Sequence, residues 1–223
     1  MELLDLHKRM LRLFEGNKMK RININTQQTH FIGCWNLENN KLCNEITNFF
    51  ENNKNLQKQG VTASGKNLKA KSRIDITVSP NDLKKPKFEI LKQYINELHK
   101  CFLDYQNQWP FLKNMIQSVL IPSFNIQKYS PGDHFASVHS ERTSLETLHR
   151  LFAWMTYLCD VDEDDGGQTN FTHYGIKIKP EIGKTLIWPS EWTHSHQGLE
   201  VKSGTKYIVT GWIHFPIPDD SKQ

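Results

Sequence analysis

An α+β fold is predicted, with helices laid over one face of a double-stranded β-helix (jelly-roll) core of about eight strands. Three features of the chain point to it. Helical periodicity dominates the first half, short β-branched and aromatic segments fill the second, and turn chemistry separates those segments at close intervals. Helices followed by a run of strands is the order expected when helices cover an antiparallel sandwich or barrel.

Taken in order, Leu3, Leu6, Met10, Leu13 and Phe14 recur at helical spacing and predict a short amphipathic helix ending near Gly16, followed by a polar stretch, 17–29. A second helix is expected over 42–52. A third and longer one is expected over 88–105, with Phe88, Leu91, Tyr94, Ile95, Leu98, Phe102 and Tyr105 on one face and Pro86 at its start. From residue 124 the period changes. Strands are expected at 124–129, 135–139, 152–159, 168–171, 176–178, 185–188 and 207–215. Between them lie turns such as Ser130-Pro131-Gly132-Asp133, Asp164-Asp165-Gly166-Gly167 and Ser203-Gly204-Thr205.

A chain of 223 residues that is 37% hydrophobic buries one substantial core. No run of about eighteen apolar residues occurs, and charged residues interrupt the start of the chain, so neither a membrane span nor a secretory leader is expected and a cytoplasmic protein is. Cys34, Cys43, Cys101 and Cys159 are scattered without a C-x-x-C pair and read as reduced thiols. Through residue 120 there are 19 basic and 11 acidic side chains, and beyond it 9 and 13. The basic excess is densest at Lys54, Lys58, Lys66, Lys69, Lys71 and Arg73, which a solvated surface explains without an anionic partner. The acidic run 160–166 has Asp165 and Phe171 where a calcium loop needs Gly and Glu, so it reads as a solvated hairpin turn.

His139-Ser140-Glu141 offers two ligands at i and i+2, which on an extended strand face the same way and can grip one ion. A second histidine from a distant strand completes a 2-His-1-carboxylate set, which suits non-haem Fe(II) because it leaves one face open. His194 and His196 can each supply it.

Further spaced elements surround this core. The chain reads YSPGDHFASVHSE, DEDDGGQTNF, HSHQG and GTKYIVTGW in that order. Over about 124–215 this resembles the 2-oxoglutarate/Fe(II) oxygenase superfamily, and within it the prolyl 4-hydroxylase-like branch, whose pattern is Y-x-x-G, H-x-D/E, an acidic G-G turn, H-x-G, G-x-K-Y/W and a closing tryptophan strand. A looser likeness runs over 31–82. WPSEWTHSHQG with KYIVTGW is similar to a branch common in phage and marine bacterial genomes, so the cytoplasm would be the host's if a phage carries the gene.

The resemblance implies Fe(II) held by His139, Glu141 and His196, the last chosen over His194 because His196-Gln197-Gly198 matches H-x-G. It implies 2-oxoglutarate paired through its distal carboxylate with Lys206, and Tyr129, Tyr157 and Thr210 lining that pocket, with Trp212 beneath. O2 is the second co-substrate and ascorbate a candidate accessory reductant. Glu141 departs from the usual Asp, and its extra methylene requires either a more distant strand or a side chain that folds back. The implied reaction is hydroxylation of a C–H bond, on a peptidyl, prolyl-type substrate, with a small-molecule or nucleic-acid oxygenase and a non-catalytic β-sandwich binding protein as the rival readings. A nucleic-acid partner is disfavoured because the demethylase branch uses arginines after the last histidine, and no arginine follows Arg150. The organisation expected is an N-terminal helical extension (1–29), a helical and substrate-loop support region (30–120), a jelly-roll catalytic core (121–216) and a tail (217–223).

Overall fold

The computed structural model describes residues 19–24, 29–60, 72–116 and 118–216. The helix expected before Asn17, the tail, and Lys66, Lys69 and Lys71 of the basic stretch lie outside these residues.

Helix α1 (Asn40–Asn52) starts where the Asn39 side chain accepts from the Leu42 N–H at 3.1 Å, and it buries Leu42, Cys43, Ile46, Phe49 and Phe50, a single stripe at helical spacing. Helix α2 (Glu89–Gln108) follows a 3-10 turn over Pro86–Phe88 and stops at Trp109, ahead of Pro110, whose ring disfavours a helical conformation for the residue before it. Its buried stripe is the expected one, except that Cys101 joins it and Ile95 is only partly covered. A short helix α3 (Pro110–Met115) comes next.

The strands are β1 (Lys20–Arg21), β2 (Gly33–Asn36), β3 (Lys58–Gln59), β4 (Ile74–Val78), β5 (Phe124–Tyr129), β6 (Phe135–His139), β7 (Arg150–Tyr157), β8 (Thr169–Phe171), β9 (Ile176–Ile178), β10 (Lys184–Pro189), β11 (His196–Gly198) and β12 (Lys206–His214). All pairings between them are antiparallel. The larger sheet runs β1-β2-β10-β7-β12-β5-β4-β3 and the smaller one β6-β11-β8-β9. Strands β5 to β12 divide four and four between the two sheets, which is the expected jelly-roll.

Two differences from the sequence reading matter for the site. The region 30–120 does more than supply helices, because β2 and β4 extend the larger sheet on either side; β4 pairs with β5 from Ile74 opposite Lys128 to Val78 opposite Phe124. The third ligand's surroundings, which carry no β-rich run, form a three-residue strand, β11, wedged between β6 and β8.

Alternation along each strand of the larger sheet sorts the core into two layers. Trp35, Ile126, Trp154, Ile187, Val209 and Ile213 face α1 and α2, while Cys34, Tyr129, Met155, Tyr157, Leu186, Trp188 and Ile208 face the smaller sheet. On β12 the same rule turns Lys206, Ile208, Thr210 and Trp212 toward the space between the sheets. The helices cover the other face, so this space opens away from them.

Candidate metal centre and co-substrate pocket

His139 closes β6 and His196 opens β11, and the two are direct cross-strand partners, with ring centroids 4.4 Å apart. Glu141 lies two residues beyond the end of β6, where its N–H and that of Arg142 both donate to the Ser190 carbonyl. The strand ends at His139, at its expected bound, so Glu141 is presented from the loop beyond it and not from a strand position. The Glu141 side chain folds back instead, and its Oε1 lies 3.6 Å from His139 Nε2 and 3.5 Å from His196 Nε2. One donor atom from each residue falls within 4.8 Å of the others, and this is the one His/Cys/Asp/Glu group of that kind among the described residues.

The hydrogen bonds select the tautomer that metal binding needs. His139 Nδ1 lies 2.9 Å from the Ser137 carbonyl and His196 Nδ1 2.9 Å from the His194 carbonyl. A carbonyl only accepts, so each Nδ1 carries the proton and each Nε2 lone pair points at the common space. Burial, then the nearby His139, lowers the His196 pKa to about 4, which keeps that ring neutral at pH 7. Burial works to raise the pKa of Glu141, but its surroundings, His139 first, then His196 and the Trp212 N–H, favour the carboxylate and bring it down to about 2. Two neutral imidazoles and a carboxylate are a donor set that fits Fe(II). Phe135 stacks on His139 at 3.9 Å, and Trp188 and Phe171 pack around His196, so both rings are held in place.

A cavity of about 800 Å³ extends from these three residues to Lys206. Lys206 is 2% exposed, its Nζ donates to the Gly167 carbonyl at 2.9 Å, and it lies 4.4 Å from the centre of the Tyr129 ring, its cross-strand neighbour. The Gly166-Gly167 turn is what presents that carbonyl. Both residues have positive φ, and a Cβ on Gly166 would stand 2.1 Å from the Glu200 carbonyl oxygen. A buried ammonium with so little compensation is shaped for an anion, and a dicarboxylate reaching from the metal to Lys206 would supply one.

The family model for the 2OG-Fe(II) oxygenase superfamily matches residues 124–214, the stretch that holds every one of these groups. Over this stretch the chain is a match to the 2OG-Fe(II) oxygenase superfamily. Among curated relatives, human procollagen-lysine,2-oxoglutarate 5-dioxygenase 2 is 30% identical over 135 residues, 53% of this chain and 17% of its own length. A PKHD-type hydroxylase of Prochlorococcus marinus is 29% identical over 136 residues, 56% of this chain and 60% of its own. The matched stretch thus spans less than two thirds of either relative. The fold is shared with a viral collagen prolyl hydroxylase from Paramecium Bursaria Chlorella virus-1 (TM-score 0.59, 20% identity, 91% of this chain and 98% of that one). It is shared as well with a prolyl-4-hydroxylase of Pseudomonas putida (TM-score 0.64, 16% identity, 85% and 95%).

Within this oxygenase fold the other expected residues separate. Tyr129 and Thr210 line the cavity. Thr210 Oγ1 donates to the Trp154 carbonyl at 2.8 Å. Tyr157 does not line it: the ring is fully buried, and its hydroxyl is engaged by Thr169 Oγ1 at 2.6 Å, so its influence passes through Thr169, which does. His194 is buried with its nitrogens turned to the His30 carbonyl and to Thr193 Oγ1, away from the metal group. The acidic turn gathers no carboxylates for an ion; it forms a 3-10 turn over Glu163–Asp165.

Arg73, read from sequence as the end of a solvated basic stretch, is a pocket residue. It is 5% exposed, bonds Asp75 Oδ1 at 2.7 Å and the Tyr129 hydroxyl at 3.2 Å, and meets the Gln127 amide. Arg150 was likewise missed. It lines the cavity with its guanidinium 3.9 Å above the Trp212 ring. A solvated lysine and a buried, ion-paired arginine look alike in one dimension, although the alternation Arg73-Ile74-Asp75-Ile76-Thr77-Val78 is a strand signal that carries the arginine with it.

Proposed function

We propose that this chain catalyses Fe(II)- and 2-oxoglutarate-dependent hydroxylation of a peptidyl side chain, of prolyl type, with O2 consumed and succinate and CO2 released. The observation that carries the reading is the convergence of two tautomerically selected imidazoles and the Glu141 carboxylate at one end of a cavity whose other end is a buried, under-compensated lysine.

His139, Glu141 and His196 would hold the metal, and Lys206 the distal carboxylate of 2-oxoglutarate. Bound Fe(II) supplies the redox chemistry that couples oxidative decarboxylation of 2-oxoglutarate to insertion of one oxygen atom into a C–H bond. The protein's own contribution is positional. Lys206 and Tyr129 fix the far end of the co-substrate, Thr169, Ile208 and Met155 form the wall between, and Phe135 and Trp188 exclude water from the histidines. Among the lining residues, Ser140 and Thr143 carry hydroxyls suited to backbone carbonyls of a bound peptide, which supports a peptidyl substrate. Ascorbate would serve as an accessory reductant.

The names of the curated relatives support a lysyl side chain as a second reading, since the human relative is a procollagen-lysine dioxygenase. The two are separated by incubating the enzyme with peptides carrying either proline or lysine and locating the added oxygen by mass spectrometry. The oxygenase reading itself is tested by anaerobic titration of the metal-free protein with Fe(II) and 2-oxoglutarate. The visible charge-transfer band of the chelate is expected in the native protein and lost in His139→Ala. Its absence from the native protein at every concentration would return the chain to the class of binding proteins.

A further inference from the structure

The Glu-for-Asp exchange at position 141 leaves a physical problem that three observations resolve together. A carboxylate on a longer arm has more rotamers and more ways to miss the metal. Here Trp212 Nε1 donates to Glu141 Oε2 at 2.6 Å, and Arg150 Nη1 stands 3.7 Å from the same oxygen while donating to the Glu141 backbone carbonyl at 3.0 Å. With Oε2 engaged, Oε1 is the oxygen that faces both Nε2 atoms. The Arg150 guanidinium lies over the indole face at 3.9 Å and holds the ring that makes the contact.

Burial does not force this pairing. Trp212 as a residue is only half-buried, and the fully enclosed Nε1 atoms of Trp154 and Trp188 do without a hydrogen-bond partner. An aspartate could not make the same contact. Removing one methylene draws the carboxylate back by about 1.5 Å, which would stretch the 2.6 Å hydrogen bond past its limit.

We infer that Trp212, braced by Arg150, is a positioning residue that orients the long Glu141 ligand so that Oε1 alone is presented to the metal, and that this clamp is matched to glutamate. The inference rests on the metal-centre reading above.

Its test is Co(II) binding, followed through the visible d–d bands in the absence of 2-oxoglutarate, for the native protein, Trp212→Phe, Glu141→Asp and the double variant. Trp212→Phe is expected to weaken Co(II) about 10- to 100-fold, the usual cost of losing an outer partner of a ligand. In the Glu141→Asp background the same change is expected to alter affinity by less than about threefold, because the clamp has nothing to hold. Replacing Trp212 with β-(3-benzothienyl)alanine, which keeps the shape and lacks the N–H, should reproduce the loss and covers the case in which Trp212→Phe fails to fold. Equal Co(II) affinity in the native protein and the benzothienyl variant would overturn the inference and leave the metal centre standing, as would equal losses in both backgrounds. A native protein with no His139-dependent Co(II) bands would overturn the metal-centre reading and the inference with it.

Discussion

Lys206 lies deep in the core with the Gly167 carbonyl as its acceptor, and burial lowers its pKa to about 8. The unfolded chain holds that proton up to a lysine's ordinary pKa, near 10.5, so between about pH 8 and 10.5 the unfolded state binds more protons and stability rises with pH; below pH 8 the full cost of a buried charge is present. Lys206→Met is therefore expected to stabilise the co-substrate-free protein at pH 7, by roughly 1–3 kcal/mol, read as a higher Tm. The same variant should lose about 10- to 100-fold in 2-oxoglutarate affinity, because a charge-assisted pair is removed. In the native protein the Kd for 2-oxoglutarate should climb as pH passes about 8 and the ammonium is lost, which isothermal titration on the metal-loaded protein without O2 would follow.

The two neighbouring histidines give a sharper contrast. His194→Gln should cost about 1–2 kcal/mol through its bond to the His30 carbonyl and leave Co(II) binding within a few-fold of native, whereas His196→Gln should abolish it. Retained bands in His196→Gln would reassign the third ligand. At the thiols, burial pushes the pKa of Cys34 and Cys43 up to about 12, in keeping with their reading as reduced thiols.

Strands β4 and β12 show how much an element contributes beyond its own residues. β12 lies between β7 and β5 and carries Lys206, Thr210 and Trp212 on one face at a spacing that only a strand provides. β4 is the outer neighbour of β5 and brings Arg73 and Asp75 against Gln127 and Tyr129. Ile76 is fully buried under α1 and α2 in the same core as Ile126. Ile76→Ala is accordingly expected to destabilise the fold by about 2–5 kcal/mol in urea denaturation, the cost of a core cavity. An effect below about 0.5 kcal/mol would instead mark 74–78 as a peripheral loop.

At the scale of the molecule, a metal held by these residues would bind two strands of the smaller sheet and a loop tied to the end of β10, and so would fasten elements that are far apart in sequence. Co(II) at about 100 times its Kd is expected to raise stability by about 2.7 kcal/mol, and the gain should vanish in His139→Ala. Thermal denaturation with and without the ion measures it. A Tm rise that persists in His139→Ala would place the ion elsewhere.

Much of this was legible in one dimension, for a physical reason in each case. His139 and Glu141 are two residues apart, the glycines of the acidic turn are demanded by positive φ, and the alternation along 206–214 declares both a strand and its buried face. These are local constraints, written within a few residues of where they act. Arg73 was not legible as a pocket group because its partner Tyr129 is 56 residues away and nothing local distinguishes a buried cation from a solvated one. Tyr157 looked like a pocket tyrosine, and only the packing of β8 beside it shows its hydroxyl engaged by Thr169.

The sequence by itself determined the chemistry open to this protein: the candidate ligand types, a lysine proposed for the co-substrate, and the change of period that makes the second half a sheet. The tertiary structure decided the geometry. It brought β11 against β6 so that His196, not His194, faces Glu141; it enlisted β2 and β4 in the sheet; and it returned the long carboxylate to the histidines under the Trp212 N–H. Strand pairing and burial are relations between distant segments, and they take definite values only once the whole chain has closed around them.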